Sequence, residues 1–455
     1  MKMKRFLGYI VVVLILSGIV AGAISCSDSK SSVTTSNIAR LTSFGFGAQD
    51  SFPGLAAATF KIEELLDTGL VYVLDSIDYG TPLNRVTLKT TFETTPGAVV
   101  IKLADSVIML SGRDTLDFTQ TPIYMRLTSS DLTTVKTYEI QAYVHQSDPN
   151  LYVWKTLSDT IYQAEDEEQQ VVLLNGQFCL FSNNGFANRL FVSDDGATWT
   201  EKPLKGLPDV CRTKGILSDG ESLYYATETA LYTSDNAQKW TETDYSGKAY
   251  NLLTMLMCFN ETVWLVLEDT TSAHDLWLGQ IEADTVVQTD LKLDKMFPIS
   301  GFATVEFENL SNRKRAMVIG GYARNGECIN SRWNFEYSPT LEKPYRLVNY
   351  SIEQPEFSTL TGVSVVWYDH HLLMFGGVDK NMVFRGNDVL MSDDEGFTWH
   401  KADTAKCKLP DSYGPRQGQS VLVKDKSIYV IGGESLLETF VDVYRGRLNS
   451  IDWGE

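Results

Sequence analysis

Residues Val421–Trp453 read VLVKDKSIYVIGGESLLETFVDVYRGRLNSIDW. An apolar run meets a charged turn at Lys424-Asp425-Lys426 and returns as Ile428-Tyr429-Val430-Ile431, which ends in Gly432-Gly433. After a variable loop come Val441-Asp442-Val443-Tyr444 and a last segment ending at Trp453. Short β-branched and aromatic runs between turn residues predict strands, so this stretch predicts one four-stranded sheet. The plan recurs upstream at one fixed spacing, in Leu373-Met374-Phe375-Gly376-Gly377 and in Val318-Ile319-Gly320-Gly321. A small sheet repeated in this way cannot bury both faces alone, and packing against its neighbours around an axis predicts a β-propeller.

Working outward, apolar strand pairs place six such blades in residues 151–455. They lie near Val171–Trp199, Gly215–Trp240, Leu252–Val287, Phe302–Leu347, Val363–Trp399 and Val421–Trp453. Leu151-Tyr152-Val153-Trp154-Lys155 looks like an outermost strand standing ahead of the first blade. Pairing it into the last blade would close the ring and remove exposed edges, and seven blades are the alternative. Ahead of the boundary at Ser147-Asp148-Pro149-Asn150, residues 38–147 carry about seven short strand signals, which fit an immunoglobulin-like sandwich. Among them are Leu70–Leu74, Arg85–Leu88, Val99–Leu103, Ser106–Leu110, Ile123–Leu127 and Tyr138–Val144, while Lys61–Asp67 fits a helical turn. The expected fold class is therefore all-β.

The 455 residues exceed one ordinary core, and 43% hydrophobic with 21% charged is a globular composition. The net charge of −19 comes with no basic stripe, which argues against a nucleic acid or an anionic membrane surface as partner. Residues 1–25 read as a targeting segment, with Lys2, Lys4 and Arg5 ahead of the apolar run Phe6–Ile24. Ala23-Ile24-Ser25-Cys26 resembles a lipobox, so Cys26 is the expected lipidation site, followed by a polar tether over residues 26–37. The expected location is the outer membrane, on its periplasmic face or at the cell surface, with the lipid as membrane partner.

Ser392-Asp393-Asp394-Glu395-Gly396-Phe397-Thr398-Trp399 matches the pattern S-x-D-x-G-x-T-W, an Asp-box. Its carboxylate can accept backbone N–H groups across a tight turn, Gly supplies a positive φ and Trp packs beneath, so Ser392, Asp394, Gly396, Thr398 and Trp399 are expected to be structural. Ser193–Trp199 is a near match, and in Thr233–Trp240 the retained positions are read as Thr233, Asp235 and Trp240. Gly414-Pro415-Arg416-Gln417-Gly418-Gln419-Ser420, followed by Ile428–Gly433, resembles a kelch repeat. With the lipobox, Asp114–Thr119 and Val144–Pro149, the chain resembles a lipoprotein family of unknown function from Bacteroidota. The resemblance implies an Ig-like module joined to a propeller, and implies no activity.

An Asp-box propeller suggests a sialidase-like hydrolase, and a kelch array a sugar mutarotase, as enzymatic alternatives to a non-catalytic binding or scaffold role. The F/Y-R-I-P arginine motif of sialidases is missing ahead of Ser193, and Tyr345-Arg346-Leu347-Val348 is a poor echo. Adjacent His370 and His371 face opposite sides of a strand and do not easily share a metal. No nucleophile elbow, phosphate loop or HExxH appears, so neither catalytic residues nor a metal or cofactor is expected. Cys179, Cys211, Cys258, Cys328 and Cys407 are scattered without metal spacing. A glycan, sugar-acid or protein ligand is expected where the loops enter the innermost strands. Those loops hold Arg212, Lys214, Ser300, Thr359, Thr361, Arg416 and Gln419, and Arg416 is the best placed to grip a carboxylate bidentately.

The lipobox makes a direct prediction. Mass spectrometry of the mature N-terminus should find an acylated Cys26, and a mature chain that begins elsewhere would exclude lipidation there.

Overall fold

The computed structural model describes residues 35–112, 114–162, 168–271, 273–283, 285–350 and 360–450. Cys26, Thr359, Trp453 and the targeting segment lie outside the described residues. The chain divides into two compact units, Met1–Val144 and His145–Glu455.

Among the described residues the N-terminal unit is all-β apart from a short helical turn at Gly54–Ala57. Its strands are β1 (Leu41–Phe46), β2 (Phe60–Glu64), β3 (Thr68–Val73), β4 (Leu88–Phe92), β5 (Ala98–Lys102), β6 (Val107–Met109), β7 (Ile123–Thr128) and β8 (Val135–Gln141). Six of them form one sheet in the order β2-β3-β8-β7-β5-β6, and β1 pairs with β4 in a second. Only the β3–β8 pairing in that sheet is parallel. Two expectations are corrected here. Lys61–Glu64 is strand, because Phe60 and Ile62 alternate toward the core while Lys61 and Glu63 face water. Of Arg85–Leu88 only Leu88 belongs to a strand, the start of β4.

In the C-terminal unit, six antiparallel sheets of four strands each follow one another among the described residues. Their first strands are Glu168–Leu174, Leu217–Ser218, Tyr250–Phe259, Ala303–Glu308, Ser364–Tyr368 and Ser420–Lys424. Each packs beside the first strand of the next sheet, and the sixth packs beside the first. Six apolar clusters sit between neighbouring sheets. Phe178, Leu180 and Phe191 of the first sheet meet Tyr429, Ile431 and Val443 of the sixth, for example. Each sheet thus buries both faces against its two neighbours, the largest favourable contribution available to so small a sheet. The expected last strand toward Trp453 is not how the sixth sheet ends. Thr439–Leu448 is one long third strand, and the outermost place is taken by Tyr152–Ser158, with Trp154 opposite Gly446.

The recurring Gly-Gly pairs have a packing cause. At Gly376, φ is +58, and a Cβ would lie 2.5 Å from Gln419 Oε1 and 2.7 Å from the Arg416 carbonyl of the next sheet. At Gly432, a Cβ would overlap the side-chain amide of Gln169, which arrives from the first sheet to donate to the Gly433 carbonyl at 3.2 Å and to that of Phe440 at 2.6 Å. The missing side chain lets the next sheet's lead-in press against the end of the second strand.

The Asp-boxes hold the sheets together at the other end. Asp394 Oδ1 accepts from the Thr398 amide at 2.8 Å and from the Ser392 hydroxyl at 2.9 Å, and the Thr398 hydroxyl donates to Oδ2 at 2.6 Å. Trp399 is buried, and its indole donates to the Gly396 carbonyl at 3.2 Å. The box lies against the preceding sheet, where Arg315 pairs with Glu395 at 2.7 Å and Asn309 donates to the same carboxylate at 3.0 Å. The Ser193 box likewise meets the sixth sheet, with Lys424 donating to the Asp194 carbonyl. In the second sheet the register differs from the sequence reading. Ser234 and Asn236, rather than Thr233 and Asp235, occupy the motif positions, since the Gln238 and Lys239 amides donate to Asn236 Oδ1 at 3.1 and 2.9 Å. Ala237 stands at φ +62 where the other two boxes have glycine.

In denaturant unfolding at neutral pH, Trp399→Ala should cost about 3–5 kcal/mol and Asp394→Ala about 1–3 kcal/mol. Burial pushes the Asp394 carboxyl up, but the hydrogen bonds from Thr398 and Ser392 outweigh it and hold the group below its ordinary range. Its contribution is therefore complete above the unfolded value of about 4 and fades as pH falls below it. The stability gap between wild type and Asp394→Ala should narrow in acid, and a gap that widens there would contradict this arrangement.

Candidate functional site at the axial end of the inner strands

Because the sheets are antiparallel, the start of each first strand lies at the same end as the close of each second strand. The lead-in loops gather there and touch one another. The Gly418 amide donates to the Gly362 carbonyl at 2.7 Å, and the Gly362 amide donates to that of Gly301 at 2.9 Å. Three successive sheets are thereby linked by main chain alone.

On the other side of the same end the links are charged. Glu168, at the start of the first sheet, accepts from the Thr213 hydroxyl at 3.1 Å and from the Lys214 amide at 2.8 Å. Lys214 Nζ then reaches Glu434 Oε1 at 2.9 Å. Lys214 leads into the second sheet and Glu434 ends a strand of the sixth, with the first sheet between them. A contact that skips a sheet in a ring runs along the inner rim, so this pair marks the axial mouth. Gln417 Nε2 also donates to Glu434 Oε1 at 3.3 Å, and Gln417 and Glu434 exchange both main-chain hydrogen bonds at 2.9 Å.

Among the expected site residues, Lys214 is at this mouth and partly exposed. Arg212 is exposed, and its amide donates to the Tyr225 hydroxyl at 3.1 Å. Ser300 is exposed in a short strand, Pro298–Ser300, paired with Tyr322–Ala323. Thr361 is buried and donates to the Gly301 carbonyl at 3.0 Å. Gln419 is buried and donates to the Phe375 carbonyl of the neighbouring sheet at 2.7 Å, which makes it an inter-sheet tie.

Arg416 requires the main correction. It is 0% exposed. Its guanidinium grips Asp442 bidentately at 2.5 and 3.0 Å and donates to the Gly432 and Gly414 carbonyls at 2.9 and 3.1 Å. It is stacked 3.7 Å from the Phe440 ring centroid and 4.1 Å from that of Tyr413. The carboxylate expected from a ligand is supplied by the chain itself, and burial against two rings leaves the charge no route to solvent.

Sequence reasoning missed Glu168, Gln417 and Glu434, and also the apolar tips of the same end. Phe186 in the first sheet, Leu436 and Leu437 in the sixth, and Met382 and Val383 in the fifth are all exposed on loops between second and third strands, Leu437 to 95% and Phe186 to 86%. These sheets are consecutive around the ring, so the tips line one side of the mouth. At the opposite end, His371 Nδ1 lies 2.8 Å from Asp393 Oδ1, and His370 occupies the turn at φ 64. Among the described residues no group of three or more His, Cys, Asp or Glu side chains could hold a metal ion. Among the described residues the five cysteines are free, and burial pushes the Cys179, Cys211 and Cys407 thiols up to about 12.

The family model described as the DUF6242 beta propeller domain matches residues 148–455. The chain belongs to the DUF6242 family. The DUF6242 N-terminal domain, described as a domain of unknown function, matches residues 27–142. No curated protein matches the chain. Solved structures do, among them one titled "Structure of YjhT". It has 10% sequence identity and a TM-score of 0.45 over 63% of this chain and 96% of that one.

The corrected role of Arg416 is testable. Arg416→Ala strands the Asp442 carboxylate in a buried site and should lower unfolding stability by about 3–5 kcal/mol. Arg416→Lys should recover little of it, because an ammonium cannot reproduce the two-pronged grip or the stacking. A fully stable Arg416→Ala chain would return this residue to the list of ligand contacts.

Proposed function

We propose that this chain is a membrane-anchored, non-catalytic binding propeller that takes a protein ligand at the axial mouth. The observation that carries the reading is the company kept by the Lys214–Glu434 pair. Beside a neutral pair with spare hydrogen-bonding capacity stand exposed Phe, Leu, Met and Val side chains on three adjacent sheets. Apolar anchors around hydrogen-bonding groups are the composition of protein-binding surfaces. A sugar-acid ligand or a sialidase-like site needs arginines open to a carboxylate. Arg416 holds Asp442, and Arg324 is held by Glu268 through Nε at 3.0 Å and Nη2 at 3.2 Å, which leaves the exposed Arg212 rather than a cluster of open arginines among these three. The membrane anchor in this reading is acylated Cys26, and the outer membrane is the membrane we assign to it.

Site-specific photo-crosslinking in cells tests the binding surface. A crosslinker at Phe186 or Leu437 should give one discrete protein adduct, and one at Leu310, exposed at the opposite end, should not. The adduct should fade by about tenfold or more when Leu436 and Leu437 are both changed to Asp, since a few central contacts dominate such interfaces. Equal labelling from both ends, or hydrolysis of a glycan that Glu434→Gln abolishes, would replace this reading with another.

A further inference from the structure

The N-terminal unit has two sheet edges, and they are treated differently. β2 closes one side with Lys61 and Glu63 facing water, joined to each other at 3.0 Å, and Tyr72 donates to the same Glu63 carboxylate at 3.0 Å. Charged side chains of this kind deter another strand from pairing. β6 closes the other side with Val107-Ile108-Met109, in which Val107 is 67% and Met109 71% exposed. No charged residue, proline or bulge interrupts these three residues.

The register fixes where the backbone of β6 points. The Leu110 amide donates to the Val99 carbonyl and the Leu103 amide donates to that of Ser106, both at 2.8 Å. Antiparallel partners alternate between hydrogen-bonded and non-bonded pairs. Ile101 with Ile108 is therefore a bonded pair, and Val100 with Met109 and Lys102 with Val107 are not. The N–H and C=O groups of Val107 and Met109 consequently point away from β5, along the open edge. Among the described residues none of these four groups meets a partner. Their side chains project on one face while Ile108 packs into the core.

We infer that β6 pairs with β6 of a second copy of this chain, antiparallel and centred on Ile108. This register uses all four outward groups, whereas a dyad through Val107 or through Met109 would use only two. Val107 of each copy faces Met109 of the other, and both residues offer the outward donor and acceptor that a bonded pair requires. The dyad yields four main-chain hydrogen bonds and sets Val107 against Met109 twice on the exposed face, an isologous contact. It joins two six-stranded sheets into one. So short a pairing buries far less than the roughly 1,600 Å² of a standard interface, so the dimer is weak and reversible in dilute solution. A foreign peptide would be offered the same four groups, but nothing on this edge selects a sequence other than its own.

Sedimentation of the chain from Ser27 onward, with both domains intact and no lipid, tests this. The weight-average mass should rise with concentration toward twice the monomer, and hydrogen exchange of the Val107 and Met109 amides should slow in parallel. Val107→Pro removes only an outward donor, which an edge strand tolerates, and deletes two of the four hydrogen bonds. It should weaken association about tenfold or more at about 1 kcal/mol per bond. Met109→Lys places a like charge on each copy and should do the same. Both variants should unfold at the wild-type denaturant midpoint. A wild-type chain that stays monomeric, or variants that associate as well as wild type, overturns the self-pairing and leaves the edge to some other extended segment.

Discussion

A four-stranded sheet with two apolar faces is unstable in water until both are covered, and every other feature of the C-terminal unit serves that requirement. The sheets cover one another, so no face remains only if the sixth also covers the first. Phe178 against Tyr429, with ring centroids 4.8 Å apart, is the heart of that last contact. Gln169 adds its two hydrogen bonds across the same gap, where Gly432 has no side chain to obstruct its amide. The Ser193 box seals it from the far end.

The same economy explains why the axial mouth is built largely of main chain and paired charges. Lead-in loops that must approach one another closely do so through Gly301, Gly362 and Gly418, and the ionic link from Lys214 to Glu434 spans the remaining gap. Arg416 lies deeper, where it joins the loop to the third strand of its own sheet through Asp442. Recognition at such a mouth falls to groups that the framework leaves over, which here are the tips of the loops between second and third strands.

Much of this was legible in the sequence. Strand pairs, turns and Gly-Gly pairs are local patterns, so the repeat in Val318–Gly321, Leu373–Gly377 and Ile428–Gly433 revealed the β-propeller, and the Asp-box chemistry of Ser392–Trp399 was readable from one hairpin. The site was much less so. Nothing local distinguishes an arginine that waits for a ligand from one that already holds Asp442, since that aspartate sits in a strand apparently occupied with its own sheet. Lys214 was picked out for its position, but its partner Glu434 belongs to a sheet that becomes a near neighbour only when the ring closes. The box in the second sheet was set one residue off because Asn236 and Ala237 replace the acid and the glycine that anchor the pattern. Glu63 and Lys61 shielding one edge, and bare Val107 and Met109 at the other, likewise acquire meaning only once the strand order is known.

The strand that completes the sixth sheet comes from the beginning of the unit, and Tyr152 lies opposite Leu448 near its end. The Asn449 amide donates to the Leu151 carbonyl at 3.0 Å and the Ser450 amide to that of Pro149 at 2.9 Å, so the two chain ends of the ring leave side by side. Tension drawn between them would load this ladder one rung at a time, from Leu448 toward Val443, as a zipper is opened. The ring therefore resists heat with all six of its apolar seams together, but yields to a mechanical pull at its termini through a single seam, one hydrogen bond after another.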